Sequence, residues 1–524
     1  MDVDGGHDVE FSQGTQRFLD WFCALPGATF HKDISIVDLR DGNAGRGIVA
    51  TADIPADTTL FTIPRQSILC TATSPLTTLL PSLFASPNPN ADGSSNDGSE
   101  VTTQDPWTTL ILILIYEHLR GPLSPWAPYL SILPTAFNTP MFWGPSDLAE
   151  LQASALVAKI GQADADAMIR TNILSVIQAR QDVFFPPTTS AYTGAAKPSD
   201  EQLLQLAHRV GSAIMAYAFD LEKDEDEEED DSDEEDEGED GWKEDTKTGF
   251  KGMMGMVPMA DMLNADAEFN AHINHGEATL VATSLRPIKA GDEVLNYYGP
   301  LSSGELLRRY GYVTEKHTRY DVVELPWVLV QESINKRFKV SLNKEEDWAW
   351  VNKVFKEMVE EEGDAEVEDS FVLERASEEP DAEGRLTGEV VFTALPQELE
   401  AQVKAYLKAV KKWNGGKGLA AEALADKDTR KEIYLDSVVS ALRDRESQYA
   451  TTLEDDQELL ATLDGRPSGR REMAVWVRRG EKKLLREGQA WVERKLAELK
   501  GKADDGRRGG GGGGDGPSAK RQRN

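Results

Sequence analysis

The sequence predicts an α+β protein in which a β-rich domain, split by a helical insert, is followed by an all-helical domain. Short runs of β-branched and aromatic residues between turn residues occur at 34–64 and again at 288–299. Between these runs, and again from about Leu325 onward, apolar residues recur at helical spacing. The two β segments are therefore expected to form one domain whose chain the insert interrupts.

The individual elements follow from the spacing of apolar residues between turns. Strands are predicted at 34–39, 47–51 and 59–63, and in a run that follows the turn 288–292 and ends in Asn-Tyr-Tyr-Gly at 296–299. Helices are predicted at 107–119, 146–160 and 200–219 in the insert, and at 399–411, 425–445 and 471–500 in the C-terminal domain.

Low-complexity segments separate these regions. Residues 85–106 are rich in Ser, Asn, Asp, Gly and Pro, and residues 222–245 carry 18 acidic and two basic side chains, a net charge of −16. Neither composition can bury a core, so both segments are predicted to be disordered loops. The predicted division of the chain is a first β part at 15–84, a loop at 85–106, the insert at 107–221, an acidic loop at 222–249, a second β part at 250–314, the helical domain at 320–500 and a disordered tail at 501–524.

Composition excludes several classes of function. The 524 residues include 91 acidic and 56 basic side chains, and this formal charge of −35 argues against a nucleic-acid binder. Cys23 and Cys70 are too few for a disulfide framework or a Cys-based zinc site, and they fit a reducing compartment. The acidic N-terminus is unlike a signal peptide, and the longest aliphatic run, 110–115, is far shorter than the roughly 20 residues that span a bilayer. We therefore expect a soluble protein without a membrane partner.

Several motifs occur in an order and spacing that together resemble a SET domain. They are Ala-Gly-Arg-Gly-Ile-Val-Ala at 44–50, Met-Val-Pro-Met-Ala-Asp-Met-Leu-Asn-Ala at 256–265, Asn-Tyr-Tyr-Gly at 296–299 and Arg-Tyr-Gly-Tyr-Val at 309–313. Further motifs at 126–134, 141–143, 216–219 and 449–456 are similar to those of one group within the SET proteins. That group contains Rubisco large-subunit lysine methyltransferase, SET-domain-containing protein 6 and the fungal ribosomal-protein lysine methyltransferases. The resemblance covers roughly residues 15–490 and implies a split SET domain followed by a Rubisco-methyltransferase-type substrate-binding domain.

Two positions depart from the pattern of the plant enzymes. Ala265 stands where the family often has His, and Tyr217 stands where the plant enzymes have Arg. The pair Asn264-Ala265 resembles the fungal ribosomal enzymes, and Tyr217 matches SET-domain-containing protein 6. Both departures favour the non-plant branch.

The resemblance implies a protein-lysine N-methyltransferase that uses S-adenosyl-L-methionine. The expected substrate is a basic protein, with a ribosomal protein favoured over a histone or a transcription factor. A non-catalytic acidic adaptor for basic proteins is the alternative from a different class, based on the 222–245 segment. Methyl transfer requires a neutral amine, and deprotonating a free lysine with a pKa of ~10.4 at pH 7 costs about 4 to 5 kcal/mol. A tyrosine-lined, apolar channel lowers that cost because it disfavours the ammonium ion.

The resemblance also assigns roles to individual residues. Tyr298 is expected to be catalytic, with a hydroxyl that orients the amine; the alternative is a tyrosine packed at the end of a strand. For Trp107, which is expected to contact the substrate, packing in the core is an equally good explanation. His272 and His275 are spaced like metal ligands, but no further ligands accompany them, so no metal site is expected. Cofactor contacts are expected from Gly45, Arg46, Gly47, Glu117, Tyr217, Asn264, Ala265 and Tyr310, and substrate contacts from Trp107, Ala218 and Asp220.

Two short basic clusters are relevant to where in the cell the protein is found. They lie at 471–479 and 520–523 and favour the nucleus over the cytoplasm. The protein is expected to be a monomer that contacts no nucleic acid directly.

Overall fold

A computed structural model describes most of the chain. It covers residues 4–40, 44–84, 105–186, 197–221, 253–339, 342–361, 367–416, 418–463 and 467–509. Most of the predicted loop at 85–106, all of the predicted acidic loop at 222–249 and residues 510–524 of the predicted tail lie outside these ranges.

The helices and strands alternate in small groups along the chain. The helices are α1 Asp4–Cys23, α2 Leu76–Leu79, α3 Pro106–Arg120, α4 Ala127–Leu130, α5 Pro145–Ala149, α6 Gln162–Met168, α7 Ser175–Ala179, α8 Gln181–Phe184, α9 Asp200–Tyr217, α10 Ser303–Tyr310, α11 Trp327–Phe338, α12 Glu345–Glu361, α13 Gln397–Gly416, α14 Leu419–Ala423, α15 Lys427–Glu446, α16 Leu453–Ala461 and α17 Arg470–Gly509. The strands are β1 Thr29–Phe30, β2 Ile34–Asp38, β3 Arg46–Ala50, β4 Thr59–Pro64, β5 Leu69–Cys70, β6 Ala218–Asp220, β7 Met254–Met256, β8 Asn264–Ala265, β9 Ala271–His275, β10 Thr279–Ser284, β11 Leu295–Asn296, β12 Val323–Pro326 and β13 Ser370–Leu373.

Strand pairing joins the two β segments into one domain. β4 lies antiparallel to β10, with Ile63 opposite Leu280, so a strand before the insert pairs with one after it. β5 pairs with β7 in the same way, and β7 also pairs with β6 at the end of the insert. β8 and β11 form a short parallel pair with Asn264 opposite Leu295. The predicted split β-rich domain is confirmed.

The insert is helical, but one of its predicted helices is wrong. α3 begins where the Asp105 carboxylate accepts hydrogen bonds from the main-chain N–H groups of Trp107 and Thr108. The helix predicted at 146–160 ends at Ala149, because Gln152 adopts a left-handed φ of 55° that no helix contains. α9 ends at Tyr217, two residues before the predicted end, since the chain there enters β6.

The C-terminal domain is helical, as predicted, with one small addition. β12 and β13 form an antiparallel pair within it, too short to stand out in the sequence. Trp327, Phe355 and Tyr406 meet in the core of this domain, and the Tyr406 ring lies edge-on to the other two. α17 continues beyond residue 500, where the sequence predicts the tail, and ends as the glycine run 509–514 begins.

A buried apolar cluster joins the β-rich domain and its insert to the helical domain. It brings Trp143 and Leu151 of the insert against Leu307 of α10 and against Met473 and Val477 of α17. The first turns of the longest helix are therefore part of the interface between the domains. No helix in the described part of the chain is long and apolar enough to cross a membrane.

Candidate active site

The tyrosine predicted to be catalytic lies in a stacked pair. The rings of Tyr298 and Tyr310 are 4.6 Å apart at an angle of 15°, and Tyr312 lies 6.2 Å from Tyr310. The Tyr298 hydroxyl donates a hydrogen bond to the main-chain oxygen of Leu263 at 3.0 Å. Burial first, and then Tyr312 and Tyr310, raise the pKa of Tyr298 well above its ordinary value. Its phenol is therefore protonated at neutral pH.

A glycine sets the position of Tyr310. Tyr310 is the last residue of α10, and Gly311 ends the helix with a φ of 78°. A Cβ atom on Gly311 would lie 3.0 to 3.2 Å from main-chain atoms of Asn138 and Thr139. Glycine is therefore required both for the left-handed turn and for the close approach of the insert.

Behind the stacked pair lies a buried carboxyl group surrounded by tyrosines. The Tyr129 hydroxyl donates to Asp261 Oδ2 at 2.6 Å, and Tyr129 is fully buried. Burial raises the pKa of Asp261 to about 7, although the hydrogen bond from Tyr129 acts in the opposite direction. Burial and the charge of Asp261 raise the pKa of Tyr217, and burial raises that of Tyr310 to about 12. We call Tyr129, Tyr217, Asp261, Tyr298 and Tyr310 the tyrosine cluster.

The predicted cofactor loop packs against Asn264. Asn264 Nδ2 donates to the main-chain oxygen of Arg46 at 3.2 Å and to Glu293 Oε1 at 2.7 Å. A Cβ atom on Gly47 would lie 2.8 Å from Asn264 Nδ2, 2.7 Å from Glu293 Oε1 and 2.5 Å from a methyl group of Leu39. The sequence therefore needs glycine at position 47 to let this loop and Asn264 meet.

The Arg46 side chain points away from this loop. Its guanidinium group donates to the Thr15 hydroxyl at 2.9 Å and to the main-chain oxygen of Ile132 at 3.0 Å, and it lies 3.8 Å from the centre of the Phe11 ring. Arg46 therefore joins α1 to the insert with its side chain and offers only its main chain to a ligand at the loop.

Glu117 and Trp107 lie far apart on α3. Ten residues separate them, which is about 15 Å along a helix. The Glu117 carboxylate is fully buried and accepts hydrogen bonds from Arg120 at 3.0 Å and from the Ser124 hydroxyl at 2.7 Å. Trp107 instead lines an apolar cavity that also contains Arg309, the neighbour of Tyr310. Trp107 thus lies at this cavity, and the Glu117 carboxylate is held in a local ion pair.

The remaining predicted contacts lie on short strands. Ala218 is opposite Met256 in the β6–β7 pair, directly after Tyr217, and Asp220 is exposed at the other end of β6. The main-chain oxygen of Ala265 accepts a hydrogen bond from the Tyr312 hydroxyl at 3.3 Å. His272 and His275 are exposed on β9. In the described ranges, no three His, Cys, Asp or Glu side chains are grouped to hold a metal ion.

Sequence reasoning missed Tyr129, Asp261, Glu293 and Tyr312 as parts of the site. Asp261 and Tyr312 lie inside motifs that carry the resemblance, yet nothing local distinguishes Tyr312 from a packing residue. Tyr129 and Asp261 are 132 residues apart, so no spacing rule connects them. A carboxyl residue within an otherwise apolar motif was the one available signal.

Two protein-family models match this chain. A family model of the SET domain matches residues 45–299, and a model described as Rubisco LSMT substrate-binding matches residues 356–485. The loop of Gly45 and Gly47 and the residue Tyr298 both lie within the SET-domain match. The first matched region lies within the split β-rich domain and its insert, and the second lies within the helical domain.

Similar proteins and similar structures were found over much of the chain. Ribosomal lysine N-methyltransferase 4 of Saccharomyces cerevisiae is 32% identical over 336 residues, which cover 63% of this chain and 62% of that protein. N-lysine methyltransferase SETD6 of Bos taurus is 27% identical over 491 residues, 89% of this chain and 93% of that protein. The crystal structure of the SET domain of LSMT bound to lysine and AdoHcy is similar in fold, with a TM-score of 0.59, 20% identity and coverage of 93% and 92% of the two chains.

Proposed function

We propose that the chain is a SET-domain protein-lysine methyltransferase with a Rubisco LSMT substrate-binding region and that its substrate is a basic ribosomal protein. Its methyl donor is S-adenosyl-L-methionine. The observation that carries the assignment of the site is the stacked Tyr298 and Tyr310 pair, with Asp261 behind it and the loop of Gly45 and Gly47 in the same domain.

The loop fits a cofactor that approaches the main chain closely. Gly45 has a φ of 67°, and no atom lies within 4 Å of the position that its Cβ would take. The main chain of this loop, the Asn264 amide and the main chain of Ala265 supply the polar groups, and Tyr310 supplies an aromatic surface. When bound, S-adenosyl-L-methionine supplies an electrophilic methyl group on a positively charged sulfur. Glu117, enclosed in its ion pair, acts on the fold rather than on the ligand.

Tyr298 orients the lysine amine. Because its hydroxyl proton is donated to Leu263, the lone pairs of the phenol oxygen remain available to accept a hydrogen bond from an amine N–H. That bond directs the nitrogen lone pair and strengthens as positive charge develops on the nitrogen. The rings of Tyr298 and Tyr310 add a cation–π attraction of roughly 0.5 to 2 kcal/mol for a methylated ammonium.

The surroundings of this pair favour a neutral amine. Tyr217 and Tyr310 have raised pKa values and are protonated, so they bring no negative charge to the site at neutral pH. The raised pKa of Asp261 limits its charge at pH 7, and a fully charged carboxylate there would hold the substrate lysine as an ammonium ion. Trp107, Ala218 and Asp220 lie on elements that flank Tyr217, where the substrate side chain would enter.

Two features support a ribosomal substrate over a histone or a transcription factor, and a third supports a lysine-rich substrate in general. The yeast relative bears the name of a ribosomal lysine methyltransferase, and Asn264-Ala265 resembles the fungal ribosomal enzymes. The third is the −16 charge of residues 222–245, which begins two residues after Asp220. Such a segment attracts a lysine-rich protein over a Debye length of about 8 Å at physiological salt.

The decisive experiment is methyl transfer from labelled donor into fractionated proteins of cells that lack this enzyme. Wild type is expected to label one ribosomal band, Tyr298→Phe to label none, and the control Tyr434→Phe to match wild type, since Tyr434 lies in the core of the C-terminal domain. Label confined to histones or transcription factors would overturn the ribosomal assignment. Absence of both label and donor binding by calorimetry would favour the acidic adaptor.

We propose further that the enzyme acts as a monomer and that a fraction of its molecules is in the nucleus. The support for a nuclear fraction is the basic cluster at 520–523. Deleting residues 519–524 is expected to move the nuclear pool to the cytoplasm, as measured by fluorescence of a tagged protein. An unchanged distribution would contradict this, and a dimer in sedimentation would contradict the monomer.

A further inference from the structure

A loop of the C-terminal domain crosses back onto the SET domain beside the active site. We call residues 378–388 the strap; they lie within the region that matches the substrate-binding model. Phe269 N–H donates to the main-chain oxygen of Gly384 at 2.9 Å, and Arg286 Nη1 donates to that of Glu383 at 2.8 Å. Arg319 Nη2 donates to the oxygen of Thr387 at 2.7 Å. The strap is thus bound through its main chain at three successive points.

The strap also contacts the residue next to the catalytic tyrosine. The Tyr297 hydroxyl donates to Glu379 Oε2 at 3.0 Å, and the Tyr297 ring stacks on Phe269 with centres 4.7 Å apart at 17°. Burial, and then the neighbouring Tyr320 and Glu379, raise the pKa of Tyr297, so its phenol remains a donor. Two neighbours of Tyr297, Phe269 and Glu379, are therefore part of the strap or bonded to it.

The contact between the strap and Phe269 is tight. Gly384 is buried and has a φ of 71°, and a Cβ atom there would lie 2.4 Å from the main-chain oxygen of Phe269. A main-chain atom cannot move aside as the end of a flexible side chain can. Any side chain at position 384 would therefore displace Phe269.

A displacement of Phe269 would reach Tyr298 through β11. The next residue, Asn270, donates from Nδ2 to the oxygen of Glu293 at 2.8 Å and accepts at Oδ1 from Leu295 N–H at 2.9 Å. Its own N–H donates to the oxygen of Leu295 at 3.1 Å. Leu295 belongs to β11, which leads directly into Tyr297 and Tyr298.

We propose that the strap positions Tyr298 for methyl transfer and that Tyr297 and Gly384 are positioning residues for the reaction. The proposal rests on the catalytic role of Tyr298 given above. It assigns to the C-terminal domain a contribution to the chemical step in addition to substrate binding. A shift of Tyr298 relative to Tyr310 of a fraction of an ångström would lower turnover.

The test compares two glycines of the strap. Gly384→Ala is expected to lower kcat about tenfold, with KM for the protein substrate nearly unchanged, because misplacement by less than 1 Å is costly. The control is Gly388→Ala: its φ of 67° imposes similar backbone strain, but its Cβ would meet only the side chain of Glu378, 2.7 Å away. Equal kcat values for the two variants, with or without loss of thermal stability, would overturn the proposal.

A second readout does not depend on activity. In protein labelled with 3-fluorotyrosine, the Tyr298 resonance is identified by its loss in Tyr298→Phe. Glu379→Ala is expected to shift that resonance, whereas Glu379→Gln, which can still accept from Tyr297, and the charge-matched control Glu383→Ala are expected to leave it in place. An unmoved resonance in Glu379→Ala would overturn the proposal, even if Gly384→Ala fails to fold. If wild type transfers no methyl group, the proposed function fails while this readout still decides the role of the strap.

Discussion

Two buried polar clusters hold this molecule together, and they are built from opposite chemistry. In the tyrosine cluster, phenols surround the single carboxyl group of Asp261, whose pKa is raised to about 7. At the domain interface, Asp456 is almost fully buried between two cations, 2.9 Å from Arg478 and 2.6 Å from Lys482. Arg478 also donates to Glu150 of the insert, which ties α17 to that region. We call Glu150, Asp456, Arg478 and Lys482 the ionic cluster.

The difference follows from what each cluster must tolerate. In the ionic cluster, the negative and positive charges balance each other and hold the side chains in fixed orientations. Such a cluster suits a domain interface that is not required to change. A substrate amine must lose its proton in the active site, so fixed charges there would compete with the reaction. The domain interface is therefore expected to be sensitive to the removal of charge, and the active site to the removal or addition of protons.

The largest expected effect is on the ionic cluster. Asp456→Ala leaves Arg478 and Lys482 buried without their carboxylate, and we expect the free energy of unfolding to fall by about 3 to 5 kcal/mol. Chemical denaturation measures this. Glu458→Ala, on the exposed side of the same helix α16, is the control and is expected to change stability by less than about 0.5 kcal/mol. Similar values for both would show that the ionic cluster does not hold the interface.

The pH dependence of stability tests the tyrosine cluster. The folded state holds the Asp261 proton up to a pH of about 7, whereas the unfolded chain releases it near 3.8. Unfolding free energy should therefore fall as pH rises through this interval, by up to about 1.4 kcal/mol per pH unit from this group. Asp261→Asn can still accept from Tyr129 and should lose less stability between pH 5 and 7.

Two other carboxyl groups contribute with the same sign. Burial raises the pKa of Asp321 to about 6 and that of Glu481 to about 7. Both remain in Asp261→Asn, so the difference between the two denaturation profiles isolates Asp261. Parallel profiles would mean that Asp261 is ionised in the folded protein, and the contrast with the ionic cluster would then be lost.

A smaller effect is expected where the donor loop meets Asn264. Asn264→Ala removes the hydrogen bonds to Arg46 and Glu293, and we expect donor affinity to fall about tenfold, or about 1.4 kcal/mol. Arg46→Lys loses its forked contacts with Thr15 and Ile132 but keeps its main chain, so stability should fall while donor affinity changes little. Calorimetry of donor binding distinguishes the two, and equal losses of affinity would contradict the separation of roles.

The smallest effect is expected from Tyr312→Phe. The variant removes one long hydrogen bond to Ala265, at 3.3 Å, and keeps the ring beside Tyr310. Stability should change by less than about 1 kcal/mol, and kcat should stay close to wild type. A loss of turnover comparable to that of Tyr298→Phe would show that the tyrosines act as one unit.

The sequence predicts the fold class because the apolar spacing and the motifs are local signals. Strands β2, β3 and β4 begin and end within a residue or so of the predicted positions, and α3 differs by one residue at each end. The helix at 146–160 fails because Gln152 takes a left-handed turn that its own neighbours do not require. That turn is fixed from another domain, since the Gln152 side chain accepts from Ala450 N–H at 3.0 Å and donates to Thr451 at 3.2 Å.

In the candidate active site too, some features follow from local motifs and others depend on how distant segments pack. Gly47, Asn264, Tyr298 and Tyr310 lie in motifs, and the structure pairs Gly47 with Asn264 and Tyr298 with Tyr310. The bond from Tyr129 to Asp261 depends on how the insert folds over the β-rich domain, which no local pattern encodes. Glu117 shows the converse, because a buried acid near a predicted site is satisfied by residues only three and seven positions away.

The pairing of β4 with β10 has a consequence for folding during synthesis on the ribosome. Thr58 N–H donates to the hydroxyl of Ser284, its partner 226 positions later. At a synthesis rate of about 5 to 20 residues per second, β4 waits about 10 to 45 s for its neighbour. During that time one edge of the strand offers unpaired main-chain groups to any other extended chain nearby. That edge of β4 therefore stays open to other chains until residue 284 has emerged.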